Sequence, residues 1–271
     1  MNAEKQENAR LVERMGMIKN KIVVLSGKGG VGKSTVAASL AISLAMKNKK
    51  VGLLDVDIHG PSVPRLLGLD QRQVSGRNDS ILPVDFDRNL KVISIGFLMQ
   101  DRDAAVIWRG PMKYGVIKQF LQDVEWGELD YLVVDSPPGT GDEPLSVCQL
   151  LDDPKGAVIV TTPQDLAILD VRKSMGFCRK LNLPVIGVIE NMSGFVCPKC
   201  GEKTDIFRSG GAERMAEDMD APFLGRIPVD PLMVSACDAG DLAGYSRSET
   251  ETSRILTRVI DNITDSREEK I

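Results

Sequence analysis

The sequence lacks any apolar run approaching the ~18 residues of a membrane-crossing helix. Its opening residues, Met1–Lys19, are charged throughout and hold no apolar core of a secretion signal. Positive charge is not in excess: Lys and Arg total 34 against 38 Asp and Glu, giving a net charge of −4 and a pI near 5.3. Nothing in bulk electrostatics therefore favours nucleic acid or an anionic membrane as partner. Cysteine occurs five times; so few thiols, odd in number, suit a reducing cytoplasm rather than a disulfide scaffold. Internal repeats and low-complexity tracts are absent. What remains, 271 residues with 42% hydrophobic and 27% charged side chains, is the composition of an ordinary globular protein.

Short β-branched runs alternate with longer helical patterns. Lys21–Ser26, Val51–Asp55, Lys91–Ile95, Tyr131–Asp135, Ala157–Thr161 and Val185–Glu190 read as strands, most of them apolar on both faces. A mostly parallel sheet covered by helices on each side requires that pattern. The expected class is α/β, a doubly wound sheet. Residues 1–20 read as a charged extension and 21–271 as one domain. Within it, 71–89 is a polar excursion, and 194–211 is an inserted loop with a cysteine pair.

Between the first strand and an Ala/Leu-rich helix stands Gly27-Lys28-Gly29-Gly30-Val31-Gly32-Lys33-Ser34-Thr35. Glycines there let backbone N–H groups curl around phosphate oxygens at a helix N-terminus. Lys33 is placed to reach the β- and γ-phosphates and Ser34 to ligate Mg²⁺. Asp135, ending YLVVD, suits an outer hold on Mg²⁺; Asp57, just past the second strand, suits orienting the attacking water. Ser136-Pro137-Pro138-Gly139-Thr140-Gly141-Asp142 has the composition of a switch loop. A second lysine, Lys28, would cost repulsion beside Lys33 unless it meets phosphate. This deviant P-loop resembles that of the ParA/MinD and nitrogenase iron-protein group, which implies that Lys28 crosses a nucleotide-sandwich homodimer.

Cys197-Pro198-Lys199-Cys200-Gly201 is a tight turn suited to aiming two sulfurs at one ion. A redox dithiol is the competing reading, but it needs a thiolate stabilised at a helix N-terminus. A tetrahedral Zn²⁺ or an iron–sulfur cluster wants four ligands. Cys148, Cys178 and Cys237 fall in helical patterns, and the single histidine, His59, follows Asp57. Two copies of the chain, each giving Cys197 and Cys200, complete the set most simply. Zinc and cluster remain equal on spacing.

Taken together, the chain resembles the Mrp/ApbC family of P-loop iron–sulfur cluster carriers. The resemblance runs through GKGGVGKST (27–35), LLDVDIHGPSVPRLLG (53–68), VIWRGPMK (106–113), WGELDYLVVDSPPGTGDEPL (126–145), VIVTTPQDLAILDVRK (158–173) and ENMSGFVCPKCGEKTDIF (190–207). It implies ATP binding and hydrolysis with Mg²⁺. It also implies a [4Fe–4S] cluster held between protomers by Cys197 and Cys200, a cluster donor, and transfer to apo iron–sulfur proteins. Asn191 then reads the adenine and Pro228 packs its edge. The alternative is a ParA/MinD-type positioning ATPase with a structural zinc at its dimer interface. Its membrane-binding variants end in a basic amphipathic helix. Here Ile255, Leu256, Val259, Ile260 and Ile263 form a stripe, but Asp265, Glu268 and Glu269 follow it, and a helix docked on its own sheet is expected.

Overall fold

The computed structural model describes residues 2–58, 60–77, 80–99, 110–197 and 199–265. His59, Pro198 and the 106–109 part of VIWRGPMK lie outside the described residues. In chain order the strands are β1 (Ile18–Leu25), β2 (Val51–Asp55), β3 (Ser75–Arg77), β4 (Ser80–Leu82), β5 (Val84–Asp85), β6 (Leu90–Ser94), β7 (Leu129–Asp135), β8 (Gly156–Thr161), β9 (Val185–Val196), β10 (Lys203–Thr204) and β11 (Phe223–Val229). The helices are α1 (Asn2–Gly16), α2 (Lys33–Met46), α3 (Val63–Leu66), α4 (Gly110–Gln122), α5 (Asp142–Leu150), α6 (Asp165–Lys180), α7 (Gly211–Asp218), α8 (Pro231–Ala239), α9 (Leu242–Ser246) and α10 (Glu251–Asp265).

The main sheet runs β10-β9-β8-β1-β7-β2-β6-β5, with β11 also pairing β9. Only the short edge strands β5 and β10 are antiparallel; β3 and β4 form a separate hairpin in the polar excursion. The expected doubly wound parallel sheet is what forms. Every residue of β2 and β8 is buried, because helices cover both faces. Alternation along β1 divides the core: Ile22 and Val24 enter the cluster under α2 and α10. Val23 and Leu25 enter the opposite cluster with Phe120, Trp126 and Met175. The α10 stripe packs inward, with Leu256, Val259, Ile260 and Ile263 buried.

Two differences from the sequence reading have physical causes. The boundary at residue 20 falls inside β1, and the charged stretch is part of the folded body. Leu11 and Met15 on α1 are buried in the core, and Lys21 Nζ donates to the Met15 carbonyl at 3.2 Å. Charged residues surround Leu11 and Met15 in the sequence of α1 and hide its narrow apolar side. The sequence reading also gives no strand to FLGRIPV, which forms β11 parallel to β9. Gly225, Arg226 and Pro228 interrupt its apolar pattern.

β1 lies between β7 and β8, where successive connections leave in opposite directions. The phosphate loop thus emerges at the carboxyl end of the sheet, beside the ends of β2 and β7, the usual ligand crevice of such sheets.

Candidate functional site

Gly30 and Gly32 adopt left-handed backbone (φ 76° and 83°), which turns the loop between β1 and α2. A Cβ at Gly32 would fall on the Asn191 amide nitrogen, and one at Gly27 would lie 2.6 Å from the Asp170 backbone. Lys28, Gly29, Gly30, Gly32, Lys33, Ser34 and Thr35 line a cavity of about 390 Å³ with Asp57 and Pro138. Gly139, from the predicted switch loop, donates its N–H to the Ser26 carbonyl at 2.8 Å. Lys28 is half-buried and has no ion pair among the described residues.

Lys33 is the charge centre. Its Nζ lies 2.5 Å from Asp135 Oδ1 and 3.4 Å from Asp57 Oδ2, with 6% of the side chain exposed. Burial alone would push the ammonium down; Asp135, Asp57 and Asp55 hold it above the ordinary lysine value. Burial likewise pushes the Asp135 carboxyl up, against the pull of Lys33.

Sequence reasoning assigned no role to Asp55, although VGLLD and YLVVD end alike and Asp55 pairs in register with Asp135. Asp55 is fully buried. Its Oδ1 accepts the Asp57 N–H at 3.1 Å, and its Oδ2 accepts the Val63 N–H at 3.3 Å and the Ser94 hydroxyl at 2.9 Å. One carboxyl thereby ties both ends of the loop that carries Asp57. Burial, then Asp135, raises its pKa to about 8.

The donor set fits a magnesium ion with its waters. Asp135 Oδ2 and Ser136 Oγ are buried without a hydrogen-bond partner among the described residues, and Ser34 Oγ stands 3.5 Å from Lys33 Nζ. Asn191 reaches the loop too, but with its Nδ2 donating to the Val31 carbonyl at 2.9 Å. Pro228 does not line the phosphate cavity. It borders a separate space of about 460 Å³ with Phe195, Val229 and Ile255, one position beyond Ile227, the register partner of Asn191.

Cys197 and Cys200 sit at the far end of β9, within ~20 Å of Asn191 by strand rise. The turn closes with the Cys197 N–H on the Glu202 carbonyl and the Gly201 N–H on the Cys197 carbonyl, both 2.9 Å. Gly201 is left-handed (φ 73°). Backbone N–H groups of Cys200 and Lys199, then the Cys200 side chain, hold the Cys197 thiol below its usual value. Amides aimed at a sulfur are what a metal-binding turn supplies. The other thiols go the opposite way: burial pushes Cys148 and Cys178 up to about 12 and also raises Cys237. Among the described residues no three His, Cys, Asp or Glu side chains are grouped to hold a metal. Among those residues the turn offers two thiols and no third ligand.

A family model described as ParA: NUBPL iron-transfer P-loop NTPase matches residues 17–264. The chain belongs to that family. It is 49% identical over 266 residues to an iron-sulfur cluster carrier protein of Methanocaldococcus jannaschii, covering 97% of this chain and 91% of that one. It is 50% identical over 251 residues to the cytosolic Fe-S cluster assembly factor Nubp2 homolog of Anopheles gambiae, covering 91% and 97%. Among solved structures, a nucleotide-binding protein of Archaeoglobus fulgidus in complex with ADP is 42% identical with a TM-score of 0.77, covering 88% of this chain and 93% of that one. The septum site-determining protein MinD of Pyrococcus horikoshii, solved with Mg-ADP, shares the fold at 23% identity and a TM-score of 0.68, covering 93% and 99%. The P-loop NTPase fold is therefore that of the ParA/MinD group. Among the described residues no helix is long and apolar enough to cross a membrane.

Proposed function

We propose that this chain is an iron–sulfur cluster carrier of the cytoplasm, powered by slow ATP hydrolysis. Two copies hold one [4Fe–4S] cluster through Cys197 and Cys200 of each, receive it from a donor system and pass it to apoproteins. The observation that carries this reading is the hairpin. It presents two thiols on an amide-lined turn, one of them held toward thiolate, with half the ligands that a cluster needs. Two relatives near 50% identity that are named as a cluster carrier and an assembly factor support it.

Backbone N–H groups from Gly27 to Thr35 cradle the phosphates. Lys33 exchanges its contact with Asp135 for the β- and γ-phosphates, which frees the carboxylate. Ser34 and Asp135 would hold Mg²⁺, which when bound neutralises phosphate charge. Asp57 orients the attacking water, and Asp55 fixes the backbone of Asp57. Lys28, lining the cavity without a carboxylate partner among the described residues, reaches the phosphates of the second copy. Asn191 reads the adenine and Pro228 packs its edge.

Anaerobic reconstitution with iron and sulfide tests the proposal. The native protein should gain broad visible absorption with iron and sulfide bound per dimer, and Cys197→Ser with Cys200→Ser should abolish both. Tight zinc without sulfide would instead favour a zinc-bridged positioning ATPase.

A further inference from the structure

Two side chains adjacent on β9 point to opposite sides of the strand. Asn191 grips the phosphate loop through the Val31 carbonyl. Glu190, fully buried, faces the other way. Its Oε1 accepts the Ser193 hydroxyl at 2.6 Å and the Gly210 N–H at 2.8 Å, and its Oε2 accepts the Ala212 N–H at 2.7 Å. Ser193 stands inside β9, just before the 194–211 excursion, while Gly210 and Ala212 stand where the chain returns into α7, so one carboxyl fastens both ends of the excursion that contains Cys197 and Cys200. Arg226 Nε lies 3.5 Å from the same Oε1 and its guanidinium also pairs with Glu213.

The sheet ladder cannot perform this task. Met192 and Gly194 are left-handed (φ 55° and 80°), and the β9–β11 register shifts between Ile227, opposite Asn191, and Val229, opposite Phe195. Regular pairing is thus interrupted between the phosphate loop and the cysteine turn. The bonds inside the turn fix its shape but not its aim.

We propose that Glu190 is a positioning residue that ties the aim of Cys197 and Cys200 to the nucleotide loop. Movement of Val31 is transmitted to Asn191, and the adjoining peptide carries Glu190 and both ends of the excursion with it. The purpose of the coupling rests on the carrier reading above, but its test requires no cluster.

In the full-length, cluster-free protein, iodoacetamide labelling of Cys197 and Cys200 is followed by peptide mass spectrometry with and without saturating Mg·ADP or a non-hydrolysable ATP analogue. Nucleotide should change the labelling rate of the native pair by about fivefold or more. Glu190→Gln cannot accept all three hydrogen bonds; it should still bind nucleotide by calorimetry, yet label at a rate that nucleotide no longer alters. Ser193→Ala, which removes one bond, should lose part of the response. If Glu190→Gln does not fold, Ser193→Ala decides: a partial loss supports the proposal and a full native response overturns it. Native labelling indifferent to nucleotide, or a Glu190→Gln protein that responds as the native one does, overturns it as well. Failed cluster reconstitution alongside coupled labelling would remove the carrier reading and leave Glu190 in its role.

Discussion

Three aspartates surround one lysine at the head of the sheet, and the imbalance has a measurable signature. Folding raises Asp55 from the ordinary carboxylate range to about 8, and Asp135 moves in the same direction. The folded protein therefore keeps protons that the unfolded chain has released, so stability falls as pH rises from about 4 towards 8. The urea midpoint of the nucleotide-free protein should decline between about pH 5 and pH 8, and Asp55→Asn should blunt that decline. Glycines give a second contrast. Gly32→Ala places a Cβ on Asn191 at φ 83° and should weaken nucleotide binding by about tenfold or more, read by calorimetry. Gly176, inside α6, has open space where a Cβ would go. Gly176→Ala should stabilise the protein by about 0.5–1 kcal/mol in urea unfolding.

At the level of elements, α1 provides the test of whether the N-terminal segment belongs to the fold. Met15 is fully buried, so Met15→Ala should cost about 2–4 kcal/mol in chemical unfolding. A detached extension would give a change near zero. The buried strands and the phosphate loop were legible because their signals are local: continuous apolar runs, and glycines spaced for a loop between strand and helix. Contacts far apart in sequence were not. Glu190 reads as a strand-end acid until the fold returns Gly210 and Ala212 to it, and Asp55 acquires meaning only beside Asp135. β11 and α1 were hidden for a different reason, since each has one neighbour face to satisfy and spends its other positions on Gly, Pro or charge. Resemblance implies that Asn191 reads the adenine and Pro228 packs its edge; the fold sets the two on neighbouring strands, with Asn191 turned to the loop.

For the molecule as a whole, the prediction concerns two copies. Lys28 lines the phosphate cavity, while Ile206, Phe207, Leu166 and Leu169 expose apolar side chains around the hairpin and the start of α6. Arg208 and Asp165 link those two regions by an ion pair. Such a cluster of exposed apolar groups favours coverage by a protein surface. In the proposed homodimer, Lys28→Ala should lower ATP hydrolysis by about 100-fold or more. It should also remove the ATP-dependent shift from monomer to dimer in sedimentation velocity.

The fastening of Ser193, Gly210 and Ala212 to a single buried carboxyl has a consequence for how this protein can change over time. Whatever lies between those anchor points is a cassette. Its length and the two cysteines of the proposed cluster site can be exchanged while the mounting, and therefore the route back to the sheet, stays the same. On the proposed carrier function, a nucleotide-driven engine with such a socket can acquire or lose a cargo by replacing one loop, without redesigning the machine beneath it.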